Sequence, residues 1–135
     1  GDNKMKKIKR NAFLVFVLSL VLFTSLSARG GRDFTENEIK NLVSAIQSEN
    51  EGLKTSAIYF AGYYKLNHTV PIMLECFPKE SEKNKVLIAL TLYQIGEEGG
   101  LTKLMQLSDK ERNRRVRNMC KAVMEQYQKD TNQQI

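Results

Sequence analysis

Apolar side chains recur along this chain in the same helical pattern about every 31 residues, and this periodicity limits the possible folds more than any other feature. Within each pattern the residues stand at positions i, i+3, i+4 and i+7, the spacing that puts them on one face of a helix. The three patterns are Ile39, Leu42, Val43 and Ile46; Val70, Met73, Leu74 and Phe77; and Leu101, Leu104, Met105 and Ser108. The spacing predicts three amphipathic helices of one kind.

Helices of a second kind, with small residues in their apolar stripes, are predicted between and after these three. The stripe of the first includes Leu53, and the middle one, which contains Leu90, is apolar nearly all round and is expected to be covered on several sides. Ala57, Ala89 and Cys120 occupy matching positions, 32 and 31 residues apart. Two helices in a repeat of this length are typical of an α-solenoid, because no pair of helices buries its own apolar face and neighbouring pairs must stack. The sequence therefore predicts an all-α fold, a short α/α superhelix of about two and a half repeats.

Local signals mark where several of these helices begin and end. Thr35 and Glu38 have the spacing of a capping box at the start of the first helix, and Ser108 and Glu111 have the same spacing ahead of the last. Gly96 is predicted to end a helix in the left-handed conformation.

The N-terminal segment has the composition of a secretory signal. Basic residues between Lys4 and Arg10 precede an apolar stretch at 12–23, and small residues follow at 25–28. The apolar core is shorter than the roughly 20 residues of a spanning helix, which favours a signal peptide within residues 1–28 over the alternative of an uncleaved anchor helix. The protein is expected to be periplasmic or secreted after cleavage, or anchored to the membrane by this helix.

The remaining sequence divides into three predicted parts. Residues 29–34 form a linker, residues 35–127 the repeat domain, and residues 128–135 a polar tail that is expected to fray.

The charge balance argues against a nucleic-acid partner. The whole chain has a net charge of +6, but five of its 21 basic residues and one of its 15 acidic residues precede residue 29, which leaves +2 for the rest. So small an excess does not create the long-range field that gathers nucleic acid.

No catalytic or metal-binding motif is recognisable. The single histidine, His68, lies in a predicted turn without a second ligand at metal spacing, and a catalytic imidazole needs an orienting partner. Cys76 and Cys120 are predicted to lie two steps apart in the stack, beyond the approximately 7 Å that a disulfide spans between Cα atoms. We therefore expect a protein that is not an enzyme, has no cofactor and no metal, and uses both cysteines as small apolar residues.

Three groups of side chains are candidates for binding. The off-core positions of the second helices of the repeats are predicted to line the inner curve of the stack: Ile72, Glu75, Lys103 and Gln106. Tyr59 and Tyr63 offer large aromatic contact area with a polar tip on the outer face. A third group shares a predicted solvent face and is either an anion-binding site or a solvated surface: Arg114, Arg117 and Lys121.

The predicted helices of the second kind each contain a short motif: Glu51-Gly52-Leu53-Lys54 with Ala57 and Ala61-Gly62, Ala89-Leu90 with Ile95-Gly96, and Arg115-Val116-Arg117 with Cys120. In these motifs the chain resembles HEAT-repeat proteins, particularly the short bacterial kind, over about residues 36–127. Tyr63-Tyr64 departs from the family's pattern. The resemblance implies an armadillo-type α/α superhelix that commonly serves as a binding scaffold.

Together these features predict an exported, non-catalytic protein-protein interaction module or accessory subunit with an unidentified protein partner. The alternatives are a structural or self-associating repeat protein, or a binder of anions or acidic ligands through the arginine face at 112–121.

Overall fold

The computed structural model describes residues 3–7 and 32–134 of the 135-residue chain. The chain divides into two compact units, Gly1–Asp33 and Phe34–Ile135. In the first unit, residues 3–7 are helical. The α-helices of the second unit are α1 (Glu36–Ile46), α2 (Glu51–Tyr63), α3 (Val70–Cys76), α4 (Glu82–Ile95), α5 (Glu98–Ser108) and α6 (Arg114–Asn132), with short 3-10 helices at Asn67–Thr69 and Phe77–Lys79 on either side of α3. The described residues contain no strand, which confirms the all-α class.

The predicted signal features, the apolar stretch at 12–23 and the small residues at 25–28, lie outside the described residues. Where the chain is described, at 3–7 and 32–134, no helix is long and apolar enough to cross a membrane. Phe34, predicted as the last linker residue, belongs to the second unit. Its ring lies 5.8 Å from the ring of Phe60 and 5.2 Å from that of Tyr64, between centroids.

The predicted capping box begins α1. The backbone N–H of Glu38 donates to the Thr35 hydroxyl at 3.2 Å, and the Glu38 carboxylate accepts from the backbone N–H of Thr35 at 2.9 Å. Both contacts satisfy backbone N–H groups that a helix start otherwise leaves unpaired. Gly96 ends α4 with φ 74°, as predicted, in a conformation that strains residues with a Cβ.

The second predicted capping box, ahead of α6, is wrong. Ser108 is the last residue of α5, and its buried hydroxyl donates to the backbone carbonyl of Met105 at 2.8 Å. This acceptor lies within the same helix, so the hydroxyl is satisfied without reaching the next one. Asn113 caps α6 instead, because its side-chain oxygen accepts from the backbone N–H groups of Arg115 and Val116 at 2.9 and 3.2 Å.

The helices of the second unit pack in two rows. In one row α2 contacts α4 and α4 contacts α6, and in the other α1 contacts α3 and α3 contacts α5. The rows meet where α1 lies against α2, α3 against α4, and α5 against both α4 and α6. A helix in the middle of a row therefore has neighbours on both sides.

The predicted apolar stripes of α1, α3 and α5 line one core. Their buried members are Ile46, Val70, Met73, Phe77, Leu101 and Leu104. Val43, Leu74 and Met105 are half-buried and pack against the same core. The stripe predictions for these three helices are confirmed.

Two leucines of the second helix kind are exposed, contrary to prediction. Leu53 in α2 is 50% exposed, although it was predicted to lie in the apolar stripe. No helix of the described second unit precedes α2 in its row, so no helix of that unit covers Leu53 on that side. Leu90 in α4 is 44% exposed, although α4 was expected to be covered nearly all round.

Most of the segment predicted as a polar tail is helical. Helix α6 continues through Asn132, beyond the predicted domain end at residue 127. The hydroxyl of Tyr93 in α4 donates to the carboxylate of Asp130 at 2.5 Å, and Gln126 donates to the same carboxylate at 2.8 Å. The hydrogen bond from Tyr93, then that from Gln126, lowers the pKa of Asp130. This contact between α4 and α6 fastens the last turns of the helix.

Burial predicts very different effects for the same substitution at two leucines. Leu104 in α5 is fully buried, so Leu104→Ala is expected to lower the free energy of unfolding by about 2–5 kcal/mol through lost apolar contact and a residual cavity. Leu90→Ala is the matched control at a 44% exposed position, with an expected loss of about 1 kcal/mol or less. Chemical denaturation of the two variants measures the difference, and equal losses would contradict the described core.

Candidate interaction surfaces

The predicted inner-face group is only partly available at the surface. Glu75, Lys103 and Gln106 are exposed, as expected. Ile72 is only 8% exposed and belongs to the core, so the prediction of an exposed Ile72 is wrong. Helix α3 lies between α1 and α5 and also contacts α4, and these neighbours cover more of it than a single stripe. What remains exposed of this group is polar.

The largest exposed apolar area of the second unit lies on α2. Tyr59 and Tyr63 are 62% and 60% exposed, as their predicted role requires, and Leu53 and Tyr64 are 50% and 37% exposed. These four side chains, three on α2 and one at its C-cap Tyr64, are here called the α2 aromatic surface. The ring centroids of Tyr63 and Tyr64 are 4.9 Å apart, and those of Tyr64 and Phe60 are 4.5 Å apart. The rings therefore support one another in place.

In helix α4, the side that faces backward along the row is covered by the preceding helix, α2. Asn84, the third residue after the N-cap Ser81, is buried and donates its amide to Glu51 of α2 at 2.9 Å. Farther along α4, a methyl group added at Gly62 of α2 would lie 2.6 Å from Oε1 of Gln94 and 3.1 Å from Cγ2 of Thr91. The third, tenth and thirteenth residues of α4 therefore meet the preceding helix.

The same positions of α2 carry apolar residues and meet no preceding helix in the described second unit. Counted from the N-cap Asn50, they are Leu53, Phe60 and Tyr63. Phe34 covers part of Phe60, while Leu53 and Tyr63 remain at least half exposed. Leu53 and Tyr63 of the α2 aromatic surface thus lie at the open end of the row formed by α2, α4 and α6 in the described second unit.

A nearly buried Lys–Glu ion pair occurs twice between successive helices of this row. Lys54 of α2 lies 2.8 Å from Glu80, with 12% and 8% of the two side chains exposed. Lys85 of α4 pairs with Glu111, with 13% and 10% exposed. Each lysine is the fourth residue after its N-cap, and each acid lies just ahead of the next helix of the row. The two pairs are related by the same 31-residue spacing as the apolar stripes.

Each pair is held by hydrogen bonds as well as by charge. The hydrogen bond from Lys54 to Glu80 raises the pKa of the ammonium group against the opposing effect of burial. A backbone N–H donated by Asn113, followed by the hydrogen bond from Lys85, lowers the pKa of Glu111. These contacts therefore favour the charged forms of Lys54 and Glu111.

The predicted anion-binding residues lie on α6, and one of them, Arg117, has the position that Lys54 has in α2 and Lys85 in α4. Arg114, Arg117 and Lys121, here called the α6 basic face, are the first, fourth and eighth residues after the N-cap Asn113. Arg114 and Lys121 are exposed, whereas Arg117 is half-buried and donates from Nη1 to the backbone carbonyls of Glu111 at 2.6 Å and Arg112 at 2.8 Å. The structure thus places all three on one side of α6, with part of Arg117 already engaged.

The remaining candidates for chemistry show no reactive setting. His68 is exposed in the 3-10 helix before α3. Cys76 and Cys120 are not bridged, and burial raises the pKa of Cys120 to about 11, which keeps the thiol protonated. Within residues 3–7 and 32–134, no three His, Cys, Asp or Glu side chains are grouped to hold a metal ion.

Comparison with known proteins returned no family model, no curated protein and no solved structure that matches this chain.

The nearly buried pair at Glu111 predicts a pH-dependent effect of substitution. Glu111→Gln removes the charge that balances Lys85 and is expected to lower the free energy of unfolding at pH 7 by about 1–3 kcal/mol. Because the folded-state pKa of Glu111 is lowered, its stabilising effect is complete above the ordinary carboxyl range and is lost as pH falls through the folded-state value. The difference between wild type and variant should therefore shrink at acidic pH.

Glu125→Gln on the exposed side of α6 is the matched control and should change stability little at any pH. Denaturation of both variants and the wild type at a series of pH values measures these differences. A Glu111→Gln effect that stays constant down to strongly acidic pH would contradict the described ion pair.

Proposed function

We propose that this chain is an exported, non-catalytic helical-repeat module of the HEAT type that binds another protein through the α2 aromatic surface. The N-terminal sequence, with its basic cluster and apolar stretch at 12–23, supports export or anchoring. Absence of recognised catalytic motifs in the sequence supports a binding role over an enzymatic one.

A repeat architecture of about two and a half units is supported by two periodicities that arise independently. The apolar stripes recur at 31 residues, and so do the Lys54–Glu80 and Lys85–Glu111 pairs. Each helix of the row thus meets the next through equivalent residues. Such a relation between successive units is expected of a stacked solenoid, in which each repeat contacts only its neighbours.

The observation that carries the binding proposal is the exposure of four large apolar side chains on α2 and at its C-cap. Among the described residues, the only other large apolar side chains with comparable exposure are Met5 in the first unit and Leu90 on α4. Clustered exposed apolar area marks interaction sites on soluble domains, and tyrosine is enriched at interface centres because it combines contact area with a hydrogen-bonding tip. The α2 aromatic surface has this composition.

Photo-crosslinking of the full chain in the cells that produce it tests this proposal. A photoreactive residue at position 63 is expected to yield an adduct, because Tyr63 is 60% exposed in the middle of the proposed contact. The same residue at position 106 on α5 is the control, since Gln106 is exposed on the rival inner face. Adducts at 106 and none at 63 would move the binding site to the inner face and contradict the proposal.

A double substitution tests whether the crosslink at position 63 depends on the α2 aromatic surface. Leu53→Ser combined with Tyr59→Ser is expected to reduce the adduct at position 63 severalfold while changing stability by about 1 kcal/mol or less, because both side chains are at least half exposed. An unchanged adduct yield would show that these two residues do not belong to the contact.

A further inference from the structure

We infer that the partner at the α2 aromatic surface is the α6 basic face of a second copy of this chain, stacked head to tail so that Arg117 of one copy pairs with Glu49 of the next. This inference rests on the proposed function, whose binding surface it retains. It names the partner and gives the register of the contact.

The register follows from the step that relates successive helices of the row. Helix α4 follows α2 in the row as α6 follows α4, and the N-caps of the three helices are Asn50, Ser81 and Asn113. Continuing the row by one more helix requires a helix that packs on the outer side of α6 as α6 packs on α4. Helix α2 of a second copy is such a helix, because its preceding side is the one left open.

Charge makes the two open ends complementary. Lys54 and Lys85 each pair with an acid just ahead of the next helix, and Arg117 is the cation at the same position of α6. Glu49 directly precedes the N-cap of α2 and is exposed, and no cation among the described residues pairs with it. Head-to-tail stacking therefore pairs Arg117 with Glu49, as Lys54 is paired with Glu80 and Lys85 with Glu111 inside one chain.

The side chains around this pair also match. The first and eighth residues of α6 are Arg114 and Lys121, both exposed, where the eighth residues of α2 and α4 are the buried Ile58 and Ala89. Long basic side chains cover apolar surface with their aliphatic stems and place their charge over aromatic rings. Leu53, Tyr59 and Tyr63 of the next copy offer such a surface, whereas two aromatic ends facing each other would leave Arg117 and Glu49 unpaired.

A contact between unlike ends does not close on itself. Each added copy exposes a new α6 basic face, so the assembly grows with concentration instead of stopping at a dimer. The side-chain chemistry favours this mode over a symmetric dimer through α2.

Charge exchange in the full chain tests the inference by sedimentation velocity. Wild-type chain is expected to gain mass with concentration. Arg117→Glu and Glu49→Arg, each alone, should weaken this association about tenfold or more, because each places like charges at the contact. An equimolar mixture of the two variants should restore it, since the acid introduced at position 117 then faces the arginine introduced at position 49.

Charge reversals outside the contact serve as controls. Lys103→Glu and Glu75→Lys lie on exposed parts of α5 and α3 and should leave association unchanged. If loss of the carbonyl contacts of Arg117 unfolds its variant, as circular dichroism would reveal, Lys121→Glu takes its place, because Lys121 is exposed and should also weaken the association. A wild-type chain that remains monomeric at every concentration, or single reversals at 49 and 121 without effect, would overturn the inference.

The crosslinking experiment separates failure of this inference from failure of the proposed function. An adduct at position 63 with the mass of two copies supports both. An adduct of another mass leaves the binding surface in place and overturns the second copy as its partner, and no adduct overturns both.

Discussion

Burial of one apolar stripe per helix is the constraint on which the rest of the described structure depends. A single helix pair offers too little facing surface to cover its stripes, so each pair must lie against the next. Met73 and Leu104, 31 residues apart, consequently lie in one core although they belong to different pairs. The same constraint creates two ends in the described second unit, because there α2 has a neighbour in its row on one side only and α6 on the other.

The two end helices of the row differ in the residues on the side that lacks a neighbouring helix. Helix α6 carries the exposed Lys121 at the position where α2 and α4 carry the buried Ile58 and Ala89, so this side of α6 is compatible with water. Helix α2 instead leaves Leu53 and Tyr63 at least half exposed. This asymmetry is what gives the proposed contact a direction: two basic ends repel each other, and two aromatic ends would leave Glu49 and Arg117 unpaired, whereas unlike ends satisfy both.

The features predicted correctly from sequence are those set by neighbouring residues in the chain. The Thr35–Glu38 capping box and the left-handed Gly96 each need only a few consecutive residues, and the stripes need only a helical period. Ile72 and Leu53 were predicted wrongly for opposite reasons. Ile72 lies in a helix with neighbours on both sides, and Leu53 lies in one whose outer side has none. Periodicity identifies which residues share a face of a helix, but the number of faces covered depends on where the helix stands in the row.

The Lys–Glu pairs could not be read as buried from sequence, because lysine and glutamate usually lie at the surface and many similar spacings occur by chance. Their equal 26-residue separations acquire meaning only once the helices are placed. An apolar stripe tolerates sliding along its neighbour, whereas a nearly buried charge that misses its partner is strongly unfavourable. We infer that Lys54–Glu80 and Lys85–Glu111 fix the register between successive helices. By the same argument, Glu49 and Arg117 mark the two places where the register continues beyond one chain.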